Sequence, residues 1–298
     1  MSADVFTKII IPIALGVIML GLGLGLTGAD FKRILTMPKP VILGLFCQAV
    51  LLPVACYGLA VAFGLPPELA VGLMLLSASP GGASANVFSH LAHGDVALNI
   101  TLTATNSILS LLTLPLIVGL SLKVFMGADK DIPLPLGKVL ETFAIILIPA
   151  GIGMAIRAKK PELSDKLAKP LRTLAFVFLI LVIGVAVYTQ KDVVLPAFKQ
   201  VGIPALLFNV ISLGVGYLVP LALRLPKKQA VAIGMEIGIH NGTLAIAVAN
   251  NVLENKTMML PAAVYSLIMF FTAAAFALTV ARGLKDAPAG APAAAKAE

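Results

Sequence analysis

Leu69–Ser79, then Pro80-Gly81-Gly82, then Ala83–Leu91: an apolar run long enough to cross a bilayer is cut in its middle by residues that a helix does not readily hold. Pro80 removes a backbone donor and disfavours helical geometry at Ser79, and the two glycines add conformational freedom. A second run is cut in the same manner. Ala230–Met235 leads into Glu236-Ile237-Gly238-Ile239-His240-Asn241-Gly242 and resumes through Asn250. Unwound backbone at membrane depth is tolerated only where it is buried in protein or lines a wet cavity. A single break reads as a proline kink. Two breaks loaded with polar side chains, at corresponding places in the chain, point to a transporter binding site.

The rest of the chain agrees with a membrane setting. It has 298 residues, of which 59% are hydrophobic and 12% charged, and its mean hydropathy is +1.02. A soluble domain carries about 25% charged residues. Nine apolar segments stand out, at roughly 5–27, 39–63, 68–91, 95–125, 134–157, 168–190, 199–223, 228–253 and 258–282, divided by clusters such as Gly64-Leu65-Pro66-Pro67 and Leu225-Pro226-Lys227-Lys228. The fold expected is an all-α polytopic membrane protein. The first four and last four segments follow one plan: two ordinary spans, a broken span and a long closing span. The fifth, between them, would invert one set relative to the other. The run 5–27 reads as a first span and not as a cleavable leader. The tail 287–298, rich in Ala, Pro and Gly, is expected to be disordered.

The net charge of +8 reflects basic residues in the short connections, so it speaks to orientation and not to nucleic acid. With the N-terminus outside, the inner connections hold 15 of the 22 Lys and Arg residues, among them Lys32, Arg33, Arg157 and Lys228. The positive-inside bias therefore favours the C-terminus in the cytoplasm, in a multi-pass protein of the inner (plasma) membrane. Cys47 and Cys56, about 13 Å apart on one helix, read as buried apolar residues and not as a disulfide.

Glu236 is the one formal charge between Gln229 and Asn251. A carboxylate at membrane depth is costly and marks a site that meets a cation, a proton or a wet cavity. No Lys or Arg lies in the central region of any span. The fourth segment supplies Asn99, Thr103, Asn106 and Ser110 at i, i+4, i+7 and i+11, on one helical face. Hydroxyl, amide and carboxylate oxygens suit a hard monovalent cation such as Na⁺ and make a poor zinc site. Such a stripe also serves as helix–helix glue. The restarting half-helices, at Ala83-Ser84-Ala85 and Asn241-Gly242-Thr243, offer free N–H groups to an anionic substrate. His240 is read either as a helix–helix hydrogen bonder or as a proton carrier. His90 and His93 read as a polar helix end, and Leu22-Gly23-Leu24-Gly25-Leu26 as a close-packing surface. No HExxH and no Ser/His/Asp spacing suggests an enzyme.

These residues resemble a known family. Ser79-Pro80-Gly81-Gly82-Ala83-Ser84-Ala85-Asn86-Val87 with His93-Gly94-Asp95-Val96-Ala97-Leu98, and Glu236-Ile237-Gly238-Ile239-His240-Asn241, are similar to signatures of the bile acid:sodium symporter family, in its nine-span bacterial form. The resemblance implies two discontinuous helices that cross in a core domain (about 39–125 and 199–282), and a panel domain of the first, fifth and sixth spans (about 5–27, 134–157 and 168–190). It implies a first sodium site at Ala85, Asn86, Asn99, Thr103 and Glu236, and a second at Gln48, Glu236, Ile237, Ile239 and His240. It places substrate near Ala83, Ser84, Asn241, Gly242 and Thr243. Three residues depart from the family pattern: His240 stands for Gln, Ala85 for Ser and Ala83 for Thr. Imidazole nitrogen is a poor sodium ligand, so the second site has an altered donor set. The expectation is a monomeric sodium-coupled symporter of a small organic anion (bile-acid-like, pantoate or a keto acid), with proton coupling through Glu236 and His240 as the alternative.

Overall fold

The computed structural model describes residues 11–127, 136–168, 170–171, 173–174, 177 and 191–282. Residues 5–10 of the first expected span, most of the sixth (168–190) and the tail 287–298 lie outside them. All regular structure among the described residues is helical. Four helices are long and apolar enough to cross a membrane, or five if a bent pair near the N-terminus counts as one span.

In chain order these are α1 (Ile11–Gly23), α2 (Gly28–Thr36), α3 (Pro38–Ala62), α4 (Pro67–Ala78), α5 (Ala83–Leu91), α6 (Val96–Met126), α7 (Leu136–Lys159), α8 (Lys191–Ala222), α9 (Lys227–Gly238), α10 (Gly242–Asn251) and α11 (Leu260–Arg282). The first apolar run ends earlier than its hydropathy suggests. After Gly23 the chain bends by 67° into α2, a short helix carrying Lys32 and Arg33. A capping box starts it, with the Thr27 N–H and hydroxyl both donating to Asp30 at 2.8 Å.

α6 shows why the composition is so apolar. Its polar stripe, Asn99, Thr103, Asn106 and Ser110, is buried, while Ile108, Leu112, Leu116, Leu120 and Val124 point outward at four-residue spacing. A soluble helix has the opposite arrangement, and a contiguous apolar exterior of this kind belongs against lipid. α3 has its own irregularity. Its middle turn, Cys47–Leu51, is a π-helix in which the Leu52 N–H reaches back to the Cys47 carbonyl. Pro53 has no N–H for Ala49 and its ring crowds that carbonyl, so the turn ahead of it widens.

α1 packs along α7. A Cβ on Gly153 would fall 2.7 Å from the Leu24 nitrogen and 2.8 Å from the Gly23 carbonyl carbon. The Gly-Leu repeat of the sequence thus serves close backbone packing.

The two interrupted runs enter the bundle by matching routes. Gly64 (φ 56°) and Arg224 (φ 60°) are left-handed, and each ends a long helix. The Leu65 N–H donates to the Ala60 carbonyl at 3.0 Å and the Leu225 N–H to that of Pro220 at 2.9 Å. Pro66 and Pro226 then open α4 and α9, each 12 residues long. From Gly64–Gly82 to Arg224–Gly242 the two stretches run in register.

They meet at their breaks. The Gly82 N–H donates to the Ile239 carbonyl at 2.7 Å, and the Asn241 N–H to the Pro80 carbonyl at 2.8 Å. This antiparallel bridge between Gly81 and His240 is an isolated β contact. Backbone groups that leave the helical ladder are therefore satisfied by the partner break, as a lipid setting demands. One boundary differs from the sequence reading. α9 continues through Gly238, with the Ile239 N–H still bonded to Met235. Glu236 thus sits in the last turn of a helix and not in the unwound stretch, because nothing before Ile239 removes a donor.

Candidate functional site

Glu236 is 1% exposed and projects from α9 toward α6. Thr103 Oγ1 lies 2.5 Å from Glu236 Oε2 and 3.0 Å from the Asn99 carbonyl. One hydroxyl proton serves one acceptor at a time, so Thr103 is shared between Glu236 and the Asn99 carbonyl. On the same face of α6, Asn99 Nδ2 donates to the Ala232 carbonyl at 2.7 Å. That bond fixes the amide and turns Asn99 Oδ1 the other way. Glu236 Oε1, Asn99 Oδ1 and Asn86 Oδ1 are all buried and without a hydrogen-bond partner. Each such acceptor costs about 1–3 kcal/mol. No basic side chain pairs with Glu236 among the described residues.

The break of α4 closes over this carboxylate. A Cβ on Gly81 would fall 2.6 Å from Glu236 Oε2 and closer still to Oε1, so a larger residue here would push the carboxylate from its place. Of the first expected cation set, Thr103 and Glu236 are in direct contact, Asn99 is tied to α9, and Ala85 is fully buried. The donors are hard oxygens, which suit an alkali cation. Among the described residues no three His, Cys, Asp or Glu side chains converge.

The second expected set gathers around the carbonyl of Ser79. Gln48, from the π turn of α3, donates Nε2 to Ser77 at 3.0 Å and to Ser79 at 2.9 Å, which covers carbonyls left free where α4 stops. His240 Nδ1 is 3.2 Å from the same Ser79 oxygen. A carbonyl only accepts, so Nδ1 carries the proton. Gln48 Oε1 and His240 Nε2 remain buried and unpartnered. The imidazole is held by aromatic rings, stacked on Phe208 at 5.6 Å and edge-on to Tyr265 at 5.3 Å. The Ile239 carbonyl accepts from Gly82 and keeps a second lone pair, while Ile237 is buried in the last turn of α9.

The expected substrate residues begin α5 and α10. Asn241 caps its own helix, accepting from the Leu244 N–H at 3.0 Å. Gly242 abuts Ser266 of α11, and Thr243 is buried. Ser84 is half-buried on the first turn of α5, where no side chain caps the helix. The side chain of Ala83 lies outside the described residues.

Sequence reading missed the grip on the end of α9. The Gly238 carbonyl accepts from Asn209 Nδ2 at 2.8 Å and from the Tyr265 hydroxyl at 2.9 Å. Asn209 is legible as a polar residue inside an apolar run, whereas nothing in the sequence distinguishes Tyr265.

The family model described as "Sodium Bile acid symporter family" matches residues 12–197. The chain belongs to the sodium bile acid symporter family. It is 28% identical, over 80% of its length, to the "Uncharacterized sodium-dependent transporter YocS" of Bacillus subtilis, and covers 73% of that protein. It is 26% identical to the "Probable sodium/metabolite cotransporter BASS1, chloroplastic" of Arabidopsis thaliana, over 85% of this chain and 62% of the relative. With the "Sodium/bile acid cotransporter 4" of Rattus norvegicus it shares 28% identity, over 81% and 55%. The chain thus spans little more than half the length of some relatives it matches. The names of these three family relatives describe sodium-dependent transport.

Proposed function

We propose that the chain is a sodium-coupled symporter of a small organic anion. The observation that carries this reading is a buried carboxylate, Glu236, with no ion-pair partner among the described residues and with an unpartnered Oε1, while Asn99 and Asn86 carry unpartnered buried oxygens on the two helices packed against α9. We assign these oxygens to an alkali cation, which would also neutralise the charge. A second sodium site, through Gln48 Oε1, Glu236 and the carbonyls of Ile237 and Ile239, has His240 Nε2 in place of an amide oxygen. The anion binds at the restarting half-helices, near Ala83, Ser84, Asn241, Gly242 and Thr243.

Alternating access would move a panel against a core. The pairing of α1 with α7 supports the panel, and its sixth expected span lies outside the described residues. The matched entries into α4 and α9 support an inverted repeat within nine spans. Basic residues in the connections favour an inner-membrane protein with its N-terminus outside, which we take to act as a monomer.

Substrates are carboxylates such as keto acids, pantoate or bile-acid-like anions. Uptake into proteoliposomes under an inward Na⁺ gradient tests the reading. The second reading, proton coupling, is favoured by the unpartnered Nε2 of His240. It is chosen instead if accumulation follows a pH gradient, ignores Na⁺ and is lost in His240→Gln.

A further inference from the structure

α9 ends on carbonyls that its own ladder does not serve. In a continuing α-helix the Ile237 carbonyl accepts from the Asn241 N–H, and the Gly238 carbonyl from the Gly242 N–H. Here the Asn241 N–H donates to Pro80 at 2.8 Å and the Gly242 N–H to His240 at 3.0 Å. Both carbonyls are released at the break, directly after Glu236 in the chain. Only one of them is taken up again. The Gly238 oxygen accepts from Asn209 Nδ2 of α8 at 2.8 Å and from the Tyr265 hydroxyl of α11 at 2.9 Å, so both of its lone pairs are used.

The surroundings hold these two donors in place. Asn209 and Tyr265 are fully buried. The Thr272 hydroxyl of α11 bonds to Asn209 Oδ1, which turns the amide nitrogen toward Gly238. α8 approaches closely because glycine faces glycine: a Cβ on Gly216 would fall 2.7 Å from the Gly234 Cα, and one on Gly238 would enter the Leu213 side chain. The same two helices grip His240. Phe208, next to Asn209, stacks on the imidazole, and the Tyr265 ring meets it edge-on. Each helix thus supplies one hydrogen bond to the end of α9 and one ring to His240. Gly238 has the widest choice of backbone angles of any residue type. Without the clamp its carbonyl is free to turn, and the helix end that carries Glu236 frays.

We infer that Asn209 and Tyr265 are positioning residues for the cation: by occupying the Gly238 carbonyl they hold the last turn of α9, keep Glu236 beneath the Gly81 break and leave the Ile237 carbonyl as the open backbone oxygen beside it. The inference rests on the symporter reading above and adds to it two residues outside the assigned donor sets.

The test titrates the purified chain in detergent with NaCl, balanced by choline chloride, and reads the melting temperature. Tyr265→Phe keeps the ring against Phe208 and His240 and removes one donor. Asn209→Ala removes the other. Each should raise the half-saturating Na⁺ concentration about three- to fivefold, within the worth of one ordinary hydrogen bond. The double variant should exceed the product of the two, since each donor partly covers the loss of the other at one oxygen. A merely structural role gives a different pattern: melting falls equally with and without Na⁺, and half-saturation keeps its wild-type value. That pattern in Tyr265→Phe, or a lowered half-saturation, overturns the inference, and Tyr265→Phe decides alone if Asn209→Ala does not fold. Failure of the symporter reading looks different: wild type itself shows no shift with Na⁺ beyond that with choline, and the inference falls with it.

Discussion

Gly81→Ala isolates the contact on which the proposed cation site depends. Gly81 is not in a left-handed conformation, so alanine is free to adopt its backbone geometry and the added methyl acts through space alone. That methyl would sit 2.6 Å from Glu236 Oε2 and nearer to Oε1. Ordinary carbon–oxygen contacts begin at about 3.3 Å, so the carboxylate must retreat by roughly 1 Å. A hydrogen bond of 2.5 Å to Thr103 has no such slack, and the retreat breaks it or forces a new rotamer. Losing one hydrogen bond to a charged group costs about 1.5–3 kcal/mol, which is roughly 10- to 150-fold in an equilibrium constant. Gly81→Ala should therefore raise the half-saturating Na⁺ concentration by that factor, read by Na⁺ titration of thermal stability and of substrate uptake. The protein should still elute as a folded species, because the bridging bonds of Gly82 and Asn241 do not involve the added atom. Wild-type sodium half-saturation in this variant would refute the placement of Glu236 beneath the break.

Other substitutions separate the parts. Asn99→Ala removes an unpartnered oxygen together with the bond to Ala232, and should weaken Na⁺ about tenfold in the same titration. His240→Gln exchanges a nitrogen for an amide oxygen at the second set. The account expects a steeper dependence of uptake on Na⁺, with a Hill coefficient rising from near one toward two. Gly153→Leu drives a side chain into the backbone of α1, where even a Cβ is 2.7 Å from the Leu24 nitrogen. It should destabilise the protein by about 1–3 kcal/mol, seen as a lower melting temperature in detergent.

Much of this arrangement is legible in the sequence because the lipid setting leaves few choices. Pro80 and the polar run after Glu236 announce breaks, since unsatisfied backbone cannot face hydrocarbon. The i, i+4, i+7, i+11 stripe of α6 announces a buried polar face. Local chemistry hides what depends on pairing. That the two breaks bond to each other, Gly82 to Ile239 and Asn241 to Pro80, is a tertiary fact with no local signature. The same holds for Tyr265, which reaches the Gly238 carbonyl from α11. The polar and glycine-containing run from Glu236 suggests an earlier break than the one found, since the end of α9 at Gly238 is held by Asn209 and Tyr265. The shared Leu-Pro entry at Leu65-Pro66 and Leu225-Pro226 is visible in the sequence, but its meaning emerges only once Gly64 and Arg224 are seen in one conformation. Gln48 looks like packing glue until the π turn of α3 aims it at Ser77 and Ser79.

The central claim is that Glu236 binds a sodium ion that drives uptake. It is tested most directly by measuring labelled carboxylate accumulation in proteoliposomes with an inward Na⁺ gradient, for wild type and Glu236→Gln. The account predicts accumulation above equilibrium in wild type, collapse when Na⁺ is replaced by choline, and loss in Glu236→Gln. Equal accumulation without Na⁺, or Na⁺-driven uptake that survives Glu236→Gln, would contradict it.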